Sequence, residues 1–199
     1  RRHRRCAMIN LQRNIFQSFK SVKNKKWDYT PFIGQELSSL TIGIIGFGRL
    51  GNFMAKYAKA FGMKVFYYDP FKNSKNYEKT NLKRLVQNSD VISMHAHVND
   101  ETTYIINKKI LRLAKKKPII INTSRGELVN EKDIIWALKN KKISGYGADV
   151  IEKEFDDIEK SPIIKNINKY NIIVTPHIGG MTYQGQERAY NYAINKIKK

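Results

Sequence analysis

The chain of 199 residues has a single cysteine, Cys6. No internal disulfide can form, which excludes a disulfide-stapled secreted scaffold, and a lone thiol suits a reducing, cytoplasmic setting in which Cys6 is inert. No apolar run reaches the ~18 residues that a membrane span requires. The start, Arg1-Arg2-His3-Arg4-Arg5, is basic, but no apolar stretch with a cleavage site follows, so it does not read as a secretory signal. Acid is scarce: 17 Asp and Glu stand against 37 Lys and Arg, a formal net charge of +20. Such an imbalance raises nucleic-acid or membrane binding as a function. The distribution argues against both. Lys108, Lys109, Arg112, Lys115, Lys116 and Lys117 surround one short helix, and Lys139, Lys141 and Lys142 end another, where the helix dipole favours cations. Lys, Ile and Asn are over-used together, as in an AT-rich gene. Only residues 1–26 form a concentrated block, with nine Lys or Arg and no acid. Weak adhesion to polyanions that salt removes is expected, with no specific nucleic-acid partner. No internal repeat or low-complexity tract occurs, and no metal-ligating set stands out.

What is present is a globular composition, 41% hydrophobic. The length suits one domain, or one with an appendage, and buries roughly 70% of the unfolded surface. Met8, Leu11, Ile15, Phe19 and Val22 recur every three or four residues, which predicts one amphipathic helix over 7–22. A polar, aromatic stretch runs on to about residue 40. Strands are then predicted at 41–45, 64–68, 90–94, 118–122, 144–150 and 171–175. Helices are predicted at 49–61, near 80–88, near 107–114, at 131–141 and at 182–198. The segment 152–170 reads as the longest irregular stretch, and loops of that length are often functional. Apolar strands alternating with helices predict an α/β fold, a doubly wound parallel sheet in a three-layer α/β/α arrangement.

Between the first strand and the helix after it lies Gly46-Phe47-Gly48-Arg49-Leu50-Gly51. Glycine at this spacing is weak alone, but a strand before and a helix after are the setting in which such a loop binds a dinucleotide, as in Rossmann-type folds. Gly46 permits the tight turn, Gly48 lets a pyrophosphate approach, and Gly51 lets helix and strand pack closely. The amides of Arg49 and Leu50 would face the phosphates. Asp69 closes the second strand, where a carboxylate would accept the adenosine ribose hydroxyls and repel a 2′-phosphate. The cofactor is therefore read as NAD rather than NADP.

Three later residues follow the carboxyl ends of strands, where open parallel sheets bind ligands: Arg125, Glu154 and His177. Reduction of a 2-keto acid by hydride needs a cation to grip the carboxylate, and guanidinium does so bidentately. It needs an acid to protonate the carbonyl oxygen, for which histidine is suited near neutral pH. A carboxylate beside that histidine favours its protonated form and fixes its tautomer. Each residue also has a plain structural reading: Arg125 as a surface cation, Glu154 as part of a solvated acidic loop with Glu152, Asp156, Asp157 and Glu159, and His177 as a helix cap. Spacing alone does not show that the three meet.

The run from Asn122 to Glu154, with Ser124-Arg125-Gly126 and Gly147-Ala148-Asp149-Val150, resembles the signature of the D-isomer-specific 2-hydroxyacid dehydrogenases, and so does Thr175-Pro176-His177-Ile178-Gly179-Gly180. Further matches run along the chain: Trp27, Phe32, Gly34 and Leu37, then Gly43-Ile44-Ile45-Gly46, Phe61-Gly62-Met63, Tyr68-Asp69-Pro70 and Ser89-Asp90-Val91-Ile92. The resemblance implies a catalytic set of Arg125 (carboxylate binder), Glu154 (partner of the histidine) and His177 (proton donor). It implies cofactor contacts at Gly46, Gly48, Arg49, Leu50, Gly51, Asp69, Ala96, His97, Thr102, Thr123, Ser124, Arg125, Asp149, His177, Gly179 and Gly180. It also implies a small 2-hydroxy or 2-keto acid substrate and a homodimer through the nucleotide domain. Glutamate at 154 favours hydroxyacid chemistry over the related formate dehydrogenases, which resemble this pattern but carry glutamine there. Two departures stand out. The chain reads His95-Ala96-His97 where the family has His-Val-Pro, so His97 is a substitution near the nicotinamide side. A substrate domain of about 100 residues, of ordinary domain size, precedes the first helix in the family, so the chain reads as a fragment with the substrate domain largely absent. On this reading residues 1–40 are a linking helix and extended segment, 41–180 the NAD-binding domain and 181–199 a C-terminal helix. An alternative keeps the fold and drops the chemistry: a non-catalytic, NAD-responsive module similar to corepressor relatives. A hydrolase of the adenosylhomocysteine type is a third, weaker reading, needing a different catalytic set.

Overall fold

A computed structural model describes residues 3–197, with side chains from Cys6 onward; Arg1, Arg2, Lys198 and Lys199 lie outside the described residues, as does residue 198 of the expected last helix. Seven strands form one all-parallel sheet: β1 (Thr41–Ile45), β2 (Lys64–Tyr68), β3 (Glu78–Lys79), β4 (Val91–Met94), β5 (Ile119–Asn122), β6 (Gly145–Ala148) and β7 (Ile172–Val174). Their order is β3-β2-β1-β4-β5-β6-β7, so the chain builds outward from β1 in one direction and then returns to build from β4 in the other. Parallel strands need crossovers, and helices supply them.

The strand residues alternate between two cores. Ile42, Ile44, Val91, Ile119 and Ile121 join Met8, Leu11, Met54, Ala55 and Ala58 on one face, under α1 (His3–Gln12) and α3 (Arg49–Ala60). Ile45, Ile92, Met94, Ile120 and Tyr146 face the other way, against Leu85 and Val86 of α4 (Leu82–Asn88), Leu111 of α5 (Lys108–Leu111), Ile134 and Ala137 of α6 (Glu131–Lys139) and Ile163 of α7 (Pro162–Asn166). Each fully buried isoleucine contributes roughly 1.5–3 kcal/mol. Both faces being covered explains why β1, β4 and β5 are buried along their whole length.

Three expectations are corrected. The helix over 7–22 is two helices, α1 and α2 (Ile15–Lys23), because Asn14 takes a left-handed conformation at φ 50. The break turns the apolar stripe: Met8 and Leu11 are buried, whereas Phe16, Phe19 and Val22 are exposed. The stretch 152–170 is not wholly irregular. It holds a short 3-10 turn, Ile158–Lys160, and then α7, whose N-cap Ser161 accepts the amides of Ile163 and Ile164 ahead of Pro162 at the first helical position. The helix near 107–114 is a single turn, Lys108–Leu111. Strand β3 was not expected; it pairs with β2 through Phe66↔Glu78 and Tyr67↔Lys79. The last helix is α8 (Tyr183–Ile197), which has no buried residue. Among the described residues no helix is long and apolar enough to cross a membrane.

Candidate active site

The strand order reverses between β1 and β4, and the loops leaving their carboxyl ends flank a crevice there. Gly46 ends β1 at φ +87, and a Cβ on it would lie 2.5 Å from the Ala96 amide nitrogen of the opposite loop. Backbone angle and space both demand glycine. Gly51, in the first turn of α3, would place a Cβ 2.2 Å from the Gly46 carbonyl oxygen. Gly48 differs: a Cβ there meets nothing within 4 Å. It is the N-cap of α3, which carries no side-chain cap and no acid in its first turn. The first amides of that helix, those of Arg49 and Leu50 included, have no carbonyl one turn back to bond. Open space over an uncapped helix start fits a pyrophosphate. A cavity of about 360 Å³ opens beside it, lined by Gly48, Arg49, Asn52 and Lys72 among others.

Asp69 closes β2 and is 9% exposed. Its Oδ2 accepts the Phe47 amide at 2.7 Å, and its Oδ1 accepts the amides of Phe71 and Lys72 at 2.9 and 3.0 Å. The carboxylate therefore braces the glycine loop against the turn after β2, a duty the sequence did not disclose. With about four lone-pair sites, it retains acceptor capacity for a ligand.

Beyond β4 and β5, Ser124 Oγ donates to the Ala96 carbonyl at 2.7 Å and joins the two loops. Thr102 Oγ1 donates to the His97 carbonyl at 2.6 Å and folds that loop back on itself, while the His97 side chain is exposed. Thr123 is half-buried just past β5. Asn122, fully buried, is a residue whose role the sequence did not reveal. Its amide donates to the Arg125 carbonyl at 2.8 Å and its Oδ1 accepts the Ser124 amide, an Asn-centred turn that sets Arg125 at the rim. Arg125 is exposed, its Nη1 donates to the Ser124 carbonyl at 2.8 Å, and among the described residues no carboxylate pairs with it. A guanidinium so placed is available to an incoming anion.

Beyond β6 and β7 the structure brings together residues that spacing alone could not join. Asp149 is 2% exposed, and its Oδ1 accepts the Thr175 hydroxyl at 2.6 Å and the Ile178 amide at 2.9 Å. Its Oδ2 accepts the Gly179 amide at 2.7 Å. That carboxylate thus holds the turn running from His177 to Gly180, and His177 itself takes the left-handed region at φ 52. In that posture His177 Nδ1 lies 2.6 Å from Glu154 Oε1. A carboxylate at Nδ1 fixes the ring and leaves Nε2 to a ligand. The side chains are 45% and 19% exposed, at the mouth of the crevice rather than in the core. Arg125 does not join this pair directly. Its loop does adjoin theirs, since a Cβ on Gly126 would lie 2.3 Å from the Ile151 carbonyl carbon. Sequence reasoning also missed a polar cluster at the ends of the Glu154 loop: Glu131 and Ser161, buried, with Glu152 and Tyr104, half-buried. The hydrogen bond to the Glu152 carboxylate pushes the Tyr104 phenol up to about 12, and burial pushes the Glu131 carboxyl up. Among the described residues no group of three His, Cys, Asp or Glu is placed to hold a metal ion.

The family profile of the D-isomer specific 2-hydroxyacid dehydrogenase, NAD binding domain, matches residues 6–179. The hydroxypyruvate reductase of Thermotoga maritima is 36% identical over 196 residues, covering 96% of this chain and 63% of the relative. The glyoxylate reductase of Thermococcus litoralis is 39% identical over 194 residues, covering 92% and 57%. The crystal structure of D-lactate dehydrogenase from Aquifex aeolicus, complexed with NAD and lactic acid, superposes with a TM-score of 0.92 at 32% identity, over 99% of this chain and 64% of that one. The chain thus spans about three fifths of the length of these relatives. A strand order that reverses at the glycine loop, a His–Glu pair on the same edge of the sheet and a profile match across the sheet agree: the chain belongs to the D-isomer specific 2-hydroxyacid dehydrogenase family and is its NAD-binding domain.

Proposed function

We propose that this chain supplies the cofactor half and the acid–base machinery of an enzyme interconverting a 2-keto acid and a D-2-hydroxy acid. The observation that carries the proposal is the 2.6 Å His177–Glu154 pair on the edge of the sheet that also bears the glycine loop. Bound NAD(H) supplies or accepts the hydride. The amides of Arg49 and Leu50, with Gly46, Gly48 and Gly51 giving room, hold the pyrophosphate. Asp69 receives the ribose hydroxyls, and its charge disfavours a 2′-phosphate. Ala96, His97, Thr102, Thr123, Ser124, Asp149, Gly179 and Gly180 would supply further cofactor contacts. Arg125 grips the substrate carboxylate. His177 Nε2 gives its proton to the carbonyl oxygen in reduction and takes it back in oxidation, while Glu154 holds the ring in place. Acid–base assistance of this kind contributes typically 10²–10⁴-fold. The relatives named above are reductases and a dehydrogenase, which supports chemistry over a corepressor role. Residues 41–180 are the cofactor domain on this reading, with 1–40 linking to a substrate domain and the helix from 181 returning toward it. Titrating NADH fluorescence against the chain tests the cofactor site. A saturable change is expected, and its absence would refute the assignment.

A second copy of the chain is the proposed partner. Phe16, Phe19, Val22, Trp27, Tyr29 and Ile33 are exposed on α2 and the segment after it, with Trp27 at 90%. Exposed large apolar side chains of that kind suit a self-complementary interface. Light scattering should give twice the chain mass, and Phe19→Asp should halve it.

A further inference from the structure

We infer that Glu131 is a positioning residue that aligns Glu154 against His177, an inference that rests on the proton-transfer reading above. Glu131 begins α6, far from the crevice in sequence, yet it is a carboxylate only 4% exposed. Burying a charge is costly unless it is well bonded. Its two oxygens are bonded to the two ends of one loop. Oε1 accepts the Glu152 amide at 2.9 Å, and Oε2 accepts the Ser161 hydroxyl at 2.6 Å. Glu154 lies between these two anchors.

Each anchor is itself held. Tyr104 donates its hydroxyl to the Glu152 carboxylate, and the Tyr104 amide donates to the Glu127 carbonyl at 2.8 Å. Gly126 presses on the opposite side, since a Cβ there would meet the Glu152 amide nitrogen at 2.4 Å. Glu152 is thus caught between Gly126 and Glu131. At the far end Ser161 Oγ also accepts the amides of Ile163 and Ile164, which ties the loop to the start of α7.

Between the anchors the hydrogen bonds that the loop makes within itself are local, among them the Asp156 amide to the Lys153 carbonyl at 2.9 Å and the 3-10 turn Ile158–Lys160. Phe155 is 92% exposed, and Asp156 and Asp157 are exposed as well. Lys153, immediately before Glu154, sits in the left-handed region at φ 56. A non-glycine residue holds that conformation at some cost, and the surrounding structure must over-determine it. The amide of Glu152 next to it, fixed by Glu131, is one constraint, and the Asp156 amide bonded to the Lys153 carbonyl at 2.9 Å is another. Without the Glu131 bond the segment 152–154 relaxes, and the Glu154 carboxylate leaves the His177 ring. Glu131 touches neither substrate nor cofactor; its influence passes through the loop. The same contacts join this loop to Arg125 through Gly126, so the cation and the acid–base pair share one support.

The test has two independent arms. Imidazole nitrogen NMR of the chain reads the His177 Nδ1 proton in its hydrogen bond to Glu154. The full gene product, assayed with NADH and a panel of 2-keto acids, reads turnover. Glu131→Ala should abolish the protected His177 Nδ1 signal and lower kcat by roughly tenfold to a hundredfold, the scale of a small misplacement of a reacting group. KM for NADH should stay near the wild-type value. The pH–rate profile of Glu131→Ala should move in the same direction as that of Glu154→Gln. Glu131→Gln, which keeps an acceptor for the Glu152 amide, should recover most of the activity. If Glu131→Ala fails to fold, Tyr104→Phe and Ser161→Ala carry the test, each weakening one anchor and each lowering kcat several-fold. A wild-type His177 signal and wild-type kcat in folded variants would overturn the inference. Absence of turnover in the wild type, with the His177 signal present and lost in Glu131→Ala, would instead overturn the proposed reaction and leave the positioning role standing.

Discussion

Replacing Asp149 by Asn removes a charge and one acceptor while leaving the shape almost unchanged. In the native turn one oxygen takes the Thr175 hydroxyl and the Ile178 amide, and the other takes the Gly179 amide. An asparagine can serve the first pair with its carbonyl. Its NH2 group then faces the Gly179 N–H, which was bonded at 2.7 Å. One charge-assisted hydrogen bond is lost, worth about 1.5–3 kcal/mol, and a half-buried donor is left without an acceptor. A total near 3 kcal/mol lowers Tm by about 6–12 °C in a domain of this size. The loosened turn carries His177, so NADH affinity should fall in the same variant. Calorimetry and an NADH titration measure the two effects. A Tm within ~2 °C of wild type together with unchanged affinity would refute the view that Asp149 organises this turn.

Gly46 and Gly48 of the loop should respond to substitution in opposite ways. Gly46→Ala forces a side chain into a left-handed position 2.5 Å from the Ala96 amide and should cost about 3 kcal/mol or more in denaturant unfolding. Gly48→Ala enters open space, so unfolding free energy should hold within about 0.5 kcal/mol while NADH affinity drops about tenfold or more. Burial raises the Glu131 carboxyl above its ordinary value of 4.5. The folded chain then holds the proton more tightly than the unfolded one, so the contribution is fully present below that value and is lost as pH rises through the folded-state range. Urea unfolding against pH should therefore show wild type losing stability relative to Glu131→Gln as pH rises above 4.5, and a flat difference would contradict the burial effect.

The sheet was legible because both faces are covered: runs such as Thr41–Ile45 and Ile119–Asn122 are buried throughout, mostly isoleucine, and stand between helical segments. The helix spanning 7–22 was misread because periodicity counts apolar residues without asking what covers them. Asn14 breaks the helix, and Ile15 and Phe19 keep the spacing yet are exposed. Strand β3 is two residues long, too short for any pattern. Helix α7 did leave a signal, Ser161-Pro162, which the acidic run before it obscured. At the site, His177 and Glu154 were paired only through the family resemblance; spacing could not join them, because the joining depends on a left-handed turn held by Asp149. Asp69 was read as a ligand for ribose, and its bond to the Phe47 amide, which shapes the loop itself, had no sequence signature. Glu131 looked like any acid opening a helix; only the folded loop against it reveals that it is buried.

The most direct test of the account compares His177→Ala with wild type in the full gene product, with NADH and a 2-keto acid as substrates. The expected result is a fall in kcat of about 10²–10⁴-fold, well beyond any change in NADH affinity. Turnover retained in His177→Ala would contradict it.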